Sequence, residues 1–314
     1  MKPAFLINRE SHTVKKNGSV LAHVPQDLVT FTAYIDDFSR LESVLKQAAA
    51  ARCDSVFIEG GDGTIHGVLS ALMHVQNVFN PLPKIILLPG GMTNLVAKQV
   101  GIHKPTPAKV KAVIEGRGRL LRHRLPMLEV DTGQVYYGFL FSTGALPNGT
   151  RYCLEYIHTK GIEGSRAVLA TVYQILVGRT GLRQKILTPS PFSLRTDDHN
   201  FAGEHLISLA STLPYPLSGF HVFWGGKPEC NKLRLTYARS DAKAIIRHVI
   251  GLMRKEKPPK AIRKLSQDGF ISLECQRAII HHEGPIVLDG EFLANTNGTI
   301  TLSITDPLEF TGVK

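Results

Sequence analysis

With 314 residues the chain has room for one large or two ordinary domains and enough length to bury a substantial core. Its 43% apolar residues suit a globular protein, and no run approaches the roughly 20 consecutive apolar residues that a membrane-spanning helix requires. A formal net charge of +11 favours acidic partners such as nucleotides or an anionic membrane surface. Nucleic acid is not an expected partner, because no basic motif is interleaved with aromatics. Cys53, Cys153, Cys230 and Cys275 are scattered without CxxC spacing, which argues against zinc or disulfide roles.

Ala4–Ile7 reads as a buried strand and not as a secretion signal, because MKPAFLINRE turns polar within a few residues. The expected location is the cytoplasm. Leu28–Thr32 reads as a second strand. Asp36 and Asp37 can cap a helix from about Phe38 to Ala51, with Leu41, Val44, Leu45 and Ala48 on one face. Ser55–Ile58 is a third strand, followed directly by GGDGT at Gly60–Thr64. Ile65, Val68, Leu69 and Leu72 then continue at helical spacing. Lys84–Leu88 is a fourth strand ended by LPGG, a short helix starts near Asn94, and Ala108–Glu115 forms another. This alternation predicts a parallel sheet with helices on its faces and a ligand site beyond the carboxyl ends of the third and fourth strands.

GGDGT carries the chemistry of that edge. Gly60, Gly61 and Gly63 permit positive φ and close approach to a ligand. Asp62 adds a carboxylate where a metal or a transferring phosphate could sit. Thr64 is a good N-cap for a helix whose amides and dipole favour anions. The plainer reading is a sharp strand-to-helix turn with a capping threonine.

Beyond about residue 125 the texture changes. Val135–Phe141, Phe192–Arg195, Leu206–Ser211, Gly219–Phe223, Leu233–Tyr237, Gly269–Glu274, Arg277–His281, Ile286–Leu288 and Thr299–Ile304 read as strands of a mostly antiparallel domain. Helical patterns at Ser165–Val177 and Asp241–Met253 interrupt them. Two basic segments, Arg117–Arg124 and Arg254–Lys264, read singly as solvated faces.

GGDGT at 60–64, LPGGMTN at 88–94 and LDGE at 288–291 together resemble the diacylglycerol kinase catalytic family, which is distantly similar to NAD kinases. The resemblance implies an N-terminal NAD-kinase-like α/β lobe over 1–125 plus about 303–314, to which the last strand returns. It implies a C-terminal β-sandwich lobe over 126–302, with ATP in the cleft between the lobes. It also implies transfer of the γ-phosphate of ATP to a lipid hydroxyl, with Mg²⁺. Gly60, Gly61, Asp62, Gly63, Thr64, Gly90, Gly91, Thr93 and Asn94 would bind the nucleotide. Asn8 matches an asparagine of the family's N-terminal signature, although Arg9 follows it where the family has proline. Asp289 would be the general base, Glu291 and Asp62 would organise Mg²⁺, and Asp62 and Asp289 could exchange roles. Residue by residue, plainer readings stand beside these: Asn94 as a helix N-cap, Asn8 as a strand-end turn residue, Asp289–Glu291 as a β-turn with solvated acids. Lys98, Arg151 and Arg166 are candidate cations for the transferred phosphate.

The chain departs from the family pattern at Gly67 (usually Glu), Met92 (usually Thr) and Leu95 (usually Asp). Arg124–Met127 also lacks the aspartate that many members place against the lipid head group. The expectation is a lipid kinase with an atypical acceptor that docks transiently on an anionic membrane surface through residues such as Arg117–Arg124. The alternatives are a non-catalytic nucleotide-binding relative of the kinases, and an NAD kinase, whose later Asn-Glu motif has no match here.

Overall fold

The computed structural model describes residues 1–91, 94–117, 119–157, 180–213, 221–224, 232–252 and 259–313. The expected helix at Ser165–Val177 lies outside these residues, as do Thr93 and Arg166. The chain divides into two units, Met1–Leu125 with Asp306–Lys314, and Pro126–Thr305.

The first unit contains β1 (Pro3–Ile7), α1 (His12–Asn17), β2 (Phe31–Tyr34), α2 (Leu41–Ala50), β3 (Ser55–Gly60), α3 (Asp62–His74), β4 (Lys84–Pro89), α4 (Leu95–Val100), α5 (Pro107–Ile114) and β5 (Leu120–Leu125). The C-terminal strand, Leu308–Val313, completes a six-stranded sheet in the order β2-β1-β3-β4-C-terminal strand-β5. Strands β1 to β4 pair in parallel. As the resemblance implied, the last strand returns to this sheet. It runs parallel to β4 and antiparallel to β5, and it starts at Leu308, so Thr299–Ile304 belongs to the second unit.

β1 (PAFLI) and β3 (SVFIEG) are buried at every position. Parallel strands covered on both faces need such unbroken apolar runs. Phe5, Ile7, Phe57, Ile86 and Leu88 pack with Val14 of α1 and Val110, Val113 and Ile114 of α5. Asp37 caps as expected, its Oδ1 accepting from Ser39 N at 2.9 Å. The basic segment before residue 125 is not simply a solvated face. Residues 120–125 form the edge strand β5, with Arg122 and Arg124 exposed two positions apart. Charged side chains on an edge strand discourage pairing with another chain.

The second unit is a large antiparallel sheet that curls around one core. Its elements are β6 (Leu128–Asp131), β7 (Val135–Gly138), β8 (Leu140–Gly144), α6 (Ala145–Ile157), α7 (Thr180–Ile186), β9 (Ser190–Arg195), β10 (Asn200–Ser211), β11 (Leu233–Arg239), α8 (Ile245–Gly251), α9 (Pro259–Gln267), β12 (Phe270–Cys275), β13 (Ala278–His281), β14 (Ile286–Leu288), β15 (Glu291–Leu293) and β16 (Thr299–Ile304). The main path runs β15-β14-β8-β10-β9-β13-β16-β6-β7, and β11 and β12 branch from β10. The single strand expected at Val135–Phe141 is split at Phe139. His221–Phe223, expected to end a strand, lie in none.

β10 bends because its register with β11 shifts between His205 and Ile207. His205, fully buried at this bulge, stacks on Phe192 with ring centroids 4.1 Å apart. Its Nε2 lies 2.6 Å from Thr143 Oγ1 and its Nδ1 lies 3.2 Å from the Ser190 carbonyl. Nδ1 therefore donates and Nε2 accepts, which is the pattern of a neutral imidazole. Burial pushes the His205 pKa from 6.5 down to about 4. The unfolded chain thus binds the proton first. The stability contributed is complete above pH 6.5 and is lost as pH falls toward 4. A depression of this size corresponds to about 3 kcal/mol. Urea unfolding at pH 7 and pH 4 should show wild type losing about that much more than His205→Gln. Parallel losses in the two proteins would disprove the linkage.

Candidate functional site

In the strand order 2-1-3-4 the chain reverses its winding direction between β1 and β3. Open α/β sheets bind ligands beyond the carboxyl ends of their strands at such a switch point. Asn8 follows β1 there, and Gly60 ends β3. The turn after β4 rests on the turn after β3, backbone against backbone. Gly90 N donates to Gly60 O at 2.7 Å. A Cβ on Gly90 would lie 2.9 Å from Gly60 Cα, and one on Gly91 would lie 2.6 Å from Gly61 Cα. None of Gly60, Gly61, Gly63, Gly90 or Gly91 has positive φ, which corrects the positive φ expected from sequence at Gly60, Gly61 and Gly63. At 61, 90 and 91 the requirement is contact between two turns, and at 60 it is room for the Thr64 side chain, 2.5 Å from where a Cβ would stand; none of them needs left-handed backbone.

A second correction concerns Thr64. Helix α3 starts at Asp62 with Gly61 in the cap position, so Thr64 lies inside the first turn and caps nothing. It is buried, and its Oγ1 accepts from Asn8 Nδ2 at 2.8 Å. Asn8 Oδ1 accepts in turn from Glu10 N at 2.9 Å. The segment after β1 then laces both turns together. Ser11 Oγ accepts from Gly61 N at 3.2 Å, and Thr13 N donates to Gly90 O at 2.8 Å. Ser11 and Thr13 carried no sequence signal. Glu59 did, as a lone carboxylate at the end of an apolar strand. It is buried and accepts from Val20 N at 2.7 Å, Ser19 Oγ at 2.5 Å and Leu21 N at 3.2 Å.

Asp62 Oδ1 accepts from Leu95 N at 2.6 Å, joining the start of α3 to the first residue of α4. Asn94 stands at the N-cap position of α4, but its side chain makes no capping bond. Its Oδ1 accepts from Gly91 N at 2.8 Å and its Nδ2 donates to Gly91 O at 2.6 Å, closing the second glycine turn. Gly67, the departure from the usual glutamate, faces Phe38, and a Cβ there would lie 2.7 Å from its ring. Packing of that ring explains the substitution.

In the second unit, Asp289 and Gly290 form the two-residue turn between β14 and β15, both with positive φ. Asp-Gly is a preferred pair for such hairpins. Asp289 is not a solvated turn acid. Its carboxylate accepts from Phe139 N at 3.0 Å and Leu140 N at 2.8 Å, which accounts for the break between β7 and β8. Glu291 is exposed at the start of β15. Among the described residues no three His, Cys, Asp or Glu side chains gather to hold a metal. Mg²⁺ commonly takes one or two carboxylates and completes its shell with phosphate oxygens and waters. Single carboxylates such as Asp62 and Glu291 therefore fit a magnesium ion carried by a nucleotide better than one caged by protein. Lys98 is exposed on α4. The Arg151 guanidinium lies 5.8 Å from the centroid of the Phe292 ring.

The contact between the two turns is testable. Gly91→Ala forces a methyl against the Gly61 backbone, and overpacking of this kind costs about 1–3 kcal/mol. The midpoint of guanidinium unfolding should drop accordingly. An unchanged midpoint would show that the turns separate freely.

Residues 4–123 match the family model described as the diacylglycerol kinase catalytic domain. A curated relative from Escherichia fergusonii named "Probable lipid kinase YegS" is 29% identical over 54% of this chain and 50% of its own length. The protein of the same name from Salmonella schwarzengrund is 27% identical over 63% of this chain and 58% of its own. The chain thus spans about half the length of the curated relatives it matches. A crystal structure titled as a diacylglycerol kinase from Bacillus anthracis superposes with a TM-score of 0.63. That match covers 98% of this chain and 96% of that one at 13% identity, a likeness of fold. The segment that carries the two glycine turns is thus similar in sequence to the diacylglycerol kinase catalytic domain.

Proposed function

We propose that this protein is an ATP- and Mg²⁺-dependent lipid kinase that transfers the γ-phosphate to a lipid hydroxyl. One observation carries the nucleotide half of the reading. Gly63 lies exposed in the first turn of the 13-residue helix α3, and a Cβ there would meet no atom within 4 Å. The fold asks nothing of this glycine, and glycine in a helix costs about 1 kcal/mol relative to alanine. A phosphate that lies against the backbone amides at the start of α3 would need that space, because helix N-termini bind anions through free N–H groups.

The second unit supports a lipid acceptor with a cavity lined almost wholly by apolar side chains, among them Leu146, Leu209, Val222, Trp224, Ile245 and Phe270. In this reading Asp289 takes the proton of the acceptor hydroxyl as its oxygen bonds to the γ-phosphorus and ADP leaves. Two backbone amides, Phe139 N and Leu140 N, orient that carboxylate. Asp62 and Glu291 would hold Mg²⁺, which neutralises phosphate charge. The missing head-group aspartate near Arg124–Met127 points to an acceptor other than ordinary diacylglycerol. Basic residues, Arg122 and Arg124 among them, would attract the protein to an anionic membrane surface from the cytoplasm.

A second reading has a specific observation behind it. Asp62 and Asp289 both hold backbone amides, so their presence does not by itself require catalysis. Asp289→Asn separates the two readings. A kinase should lose turnover by orders of magnitude while still binding nucleotide, whereas a non-catalytic binding protein shows no lipid-dependent turnover to lose. With purified protein, ATP, Mg²⁺ and a panel of extracted lipids, diacylglycerol as the best acceptor would refute the atypical specificity. Turnover with NAD would refute the lipid reading. Gly63→Ala should raise the melting temperature slightly and weaken nucleotide binding about tenfold, an opposition of sign that corresponds to about 1.4 kcal/mol in affinity. Unaltered affinity would remove Gly63 from the phosphate site.

A further inference from the structure

The second unit also contains a cavity of about 410 Å³, walled by the end of β8, the first turns of α6, the end of α7, the start of β9 with the segment before it, and the loop between β13 and β14. Among the described residues its lining carries two cations, Arg151 and Lys185, and no carboxylate. Both are exposed, and neither has an acidic partner among the described residues. Asn148 and Ser190 add an amide and a hydroxyl to the same wall. Two cations in a recess without an acid make a binding site for an anion.

His282 says what kind of anion. It lines the same cavity and is 3% exposed. Its Nδ1 lies 3.1 Å from the Pro191 carbonyl, which fixes the proton on that nitrogen. Nε2 is then an acceptor, and it is buried with no hydrogen-bond partner among the described residues. Gly284 stands beside it in the cavity wall, where a Cβ would come to 2.5 Å from Nε2. A buried acceptor without a donor is destabilising, so a ligand that supplies a donor gains from satisfying it. Burial also holds the His282 pKa below its ordinary value, although Glu283 next to it pulls the other way.

We propose that this cavity binds a hydroxyl-bearing phosphate, with Arg151 and Lys185 holding the charged oxygens and His282 Nε2 accepting from the hydroxyl. Monohydrogen phosphate carries that hydroxyl itself, and a phospholipid with a polyol head group carries it beside the phosphate. Sulfate has the same shape and charge but no proton to give at neutral pH. The proposal does not rest on the kinase reading.

The test is calorimetric titration of the full chain with inorganic phosphate and with sulfate at pH 7.5 and constant ionic strength. Phosphate should bind saturably and at least tenfold more tightly than sulfate. Arg151→Gln combined with Lys185→Gln, both at exposed positions, should weaken phosphate binding at least tenfold without lowering the melting temperature. His282→Phe, if it folds, should abolish the preference over sulfate. Equal binding of the two ions, no binding of either, or an unaffected double variant would overturn the site. Phosphate binding lost in Gly63→Ala but kept in the double variant would also overturn it, by assigning the ion to the glycine turns. Pelleting with phosphatidylglycerol vesicles against phosphatidylcholine vesicles separates the sources. Retention that depends on Arg151 and Lys185 identifies a head group, and phosphate binding without retention identifies the free ion; either result supports the site.

Discussion

The first unit is organised by one contact, the backbone of Gly60 and Gly61 pressed against that of Gly90 and Gly91. Side chains on Gly61, Gly90 or Gly91 would hold the carboxyl ends of β3 and β4 apart. Without them the turns touch, and the helices that follow start next to each other. Asp62 at the start of α3 can then reach the first amide of α4, and Asn94 can close the second turn on Gly91. The segment after β1 completes the arrangement, because Ser11 and Thr13 bond one turn each and Asn8 holds the buried Thr64.

The second unit uses a carboxylate in a comparable way. Asp289 occupies a left-handed turn position and ties the β14–β15 hairpin to the backbone at Phe139 and Leu140. The break between β7 and β8 and the hairpin are thus one feature. Amides that would otherwise continue a strand are turned to a side chain about 150 residues later.

Legibility in the sequence followed the range of the interactions. β1, β3 and β4 were readable because burial on both faces demands unbroken apolar runs, and the Asp37 cap was readable because its bond spans two residues. β5 was hidden because it pairs with the distant C-terminal strand, and its Arg122, His123 and Arg124 looked like a charged surface. Polar residues at 200–205 likewise concealed the first half of β10, which pairs with β9. Thr64 looked like a cap because the local pattern fits one. Its burial depends on Asn8, and nothing near it in sequence announces that bond. The positive φ expected of Gly60, Gly61 and Gly63 is absent, and the close contact between distant turns leaves no mark on a local motif.

The same distinction decides which residues speak for chemistry. Asp62, Asn94 and Asp289 match family positions, yet each holds backbone groups that the fold must satisfy anyway. A residue with a structural task is weak testimony for a catalytic one. Gly63 differs, because it is exposed, has ordinary φ and has open space where a side chain would be. Alanine would serve the helix better by about 1 kcal/mol. In the proposed reading, the absent methyl leaves room for a ligand against the helix backbone. At the N-terminus of a helix, at the switch point of a parallel sheet, a phosphate is what the exposed amides are suited to hold.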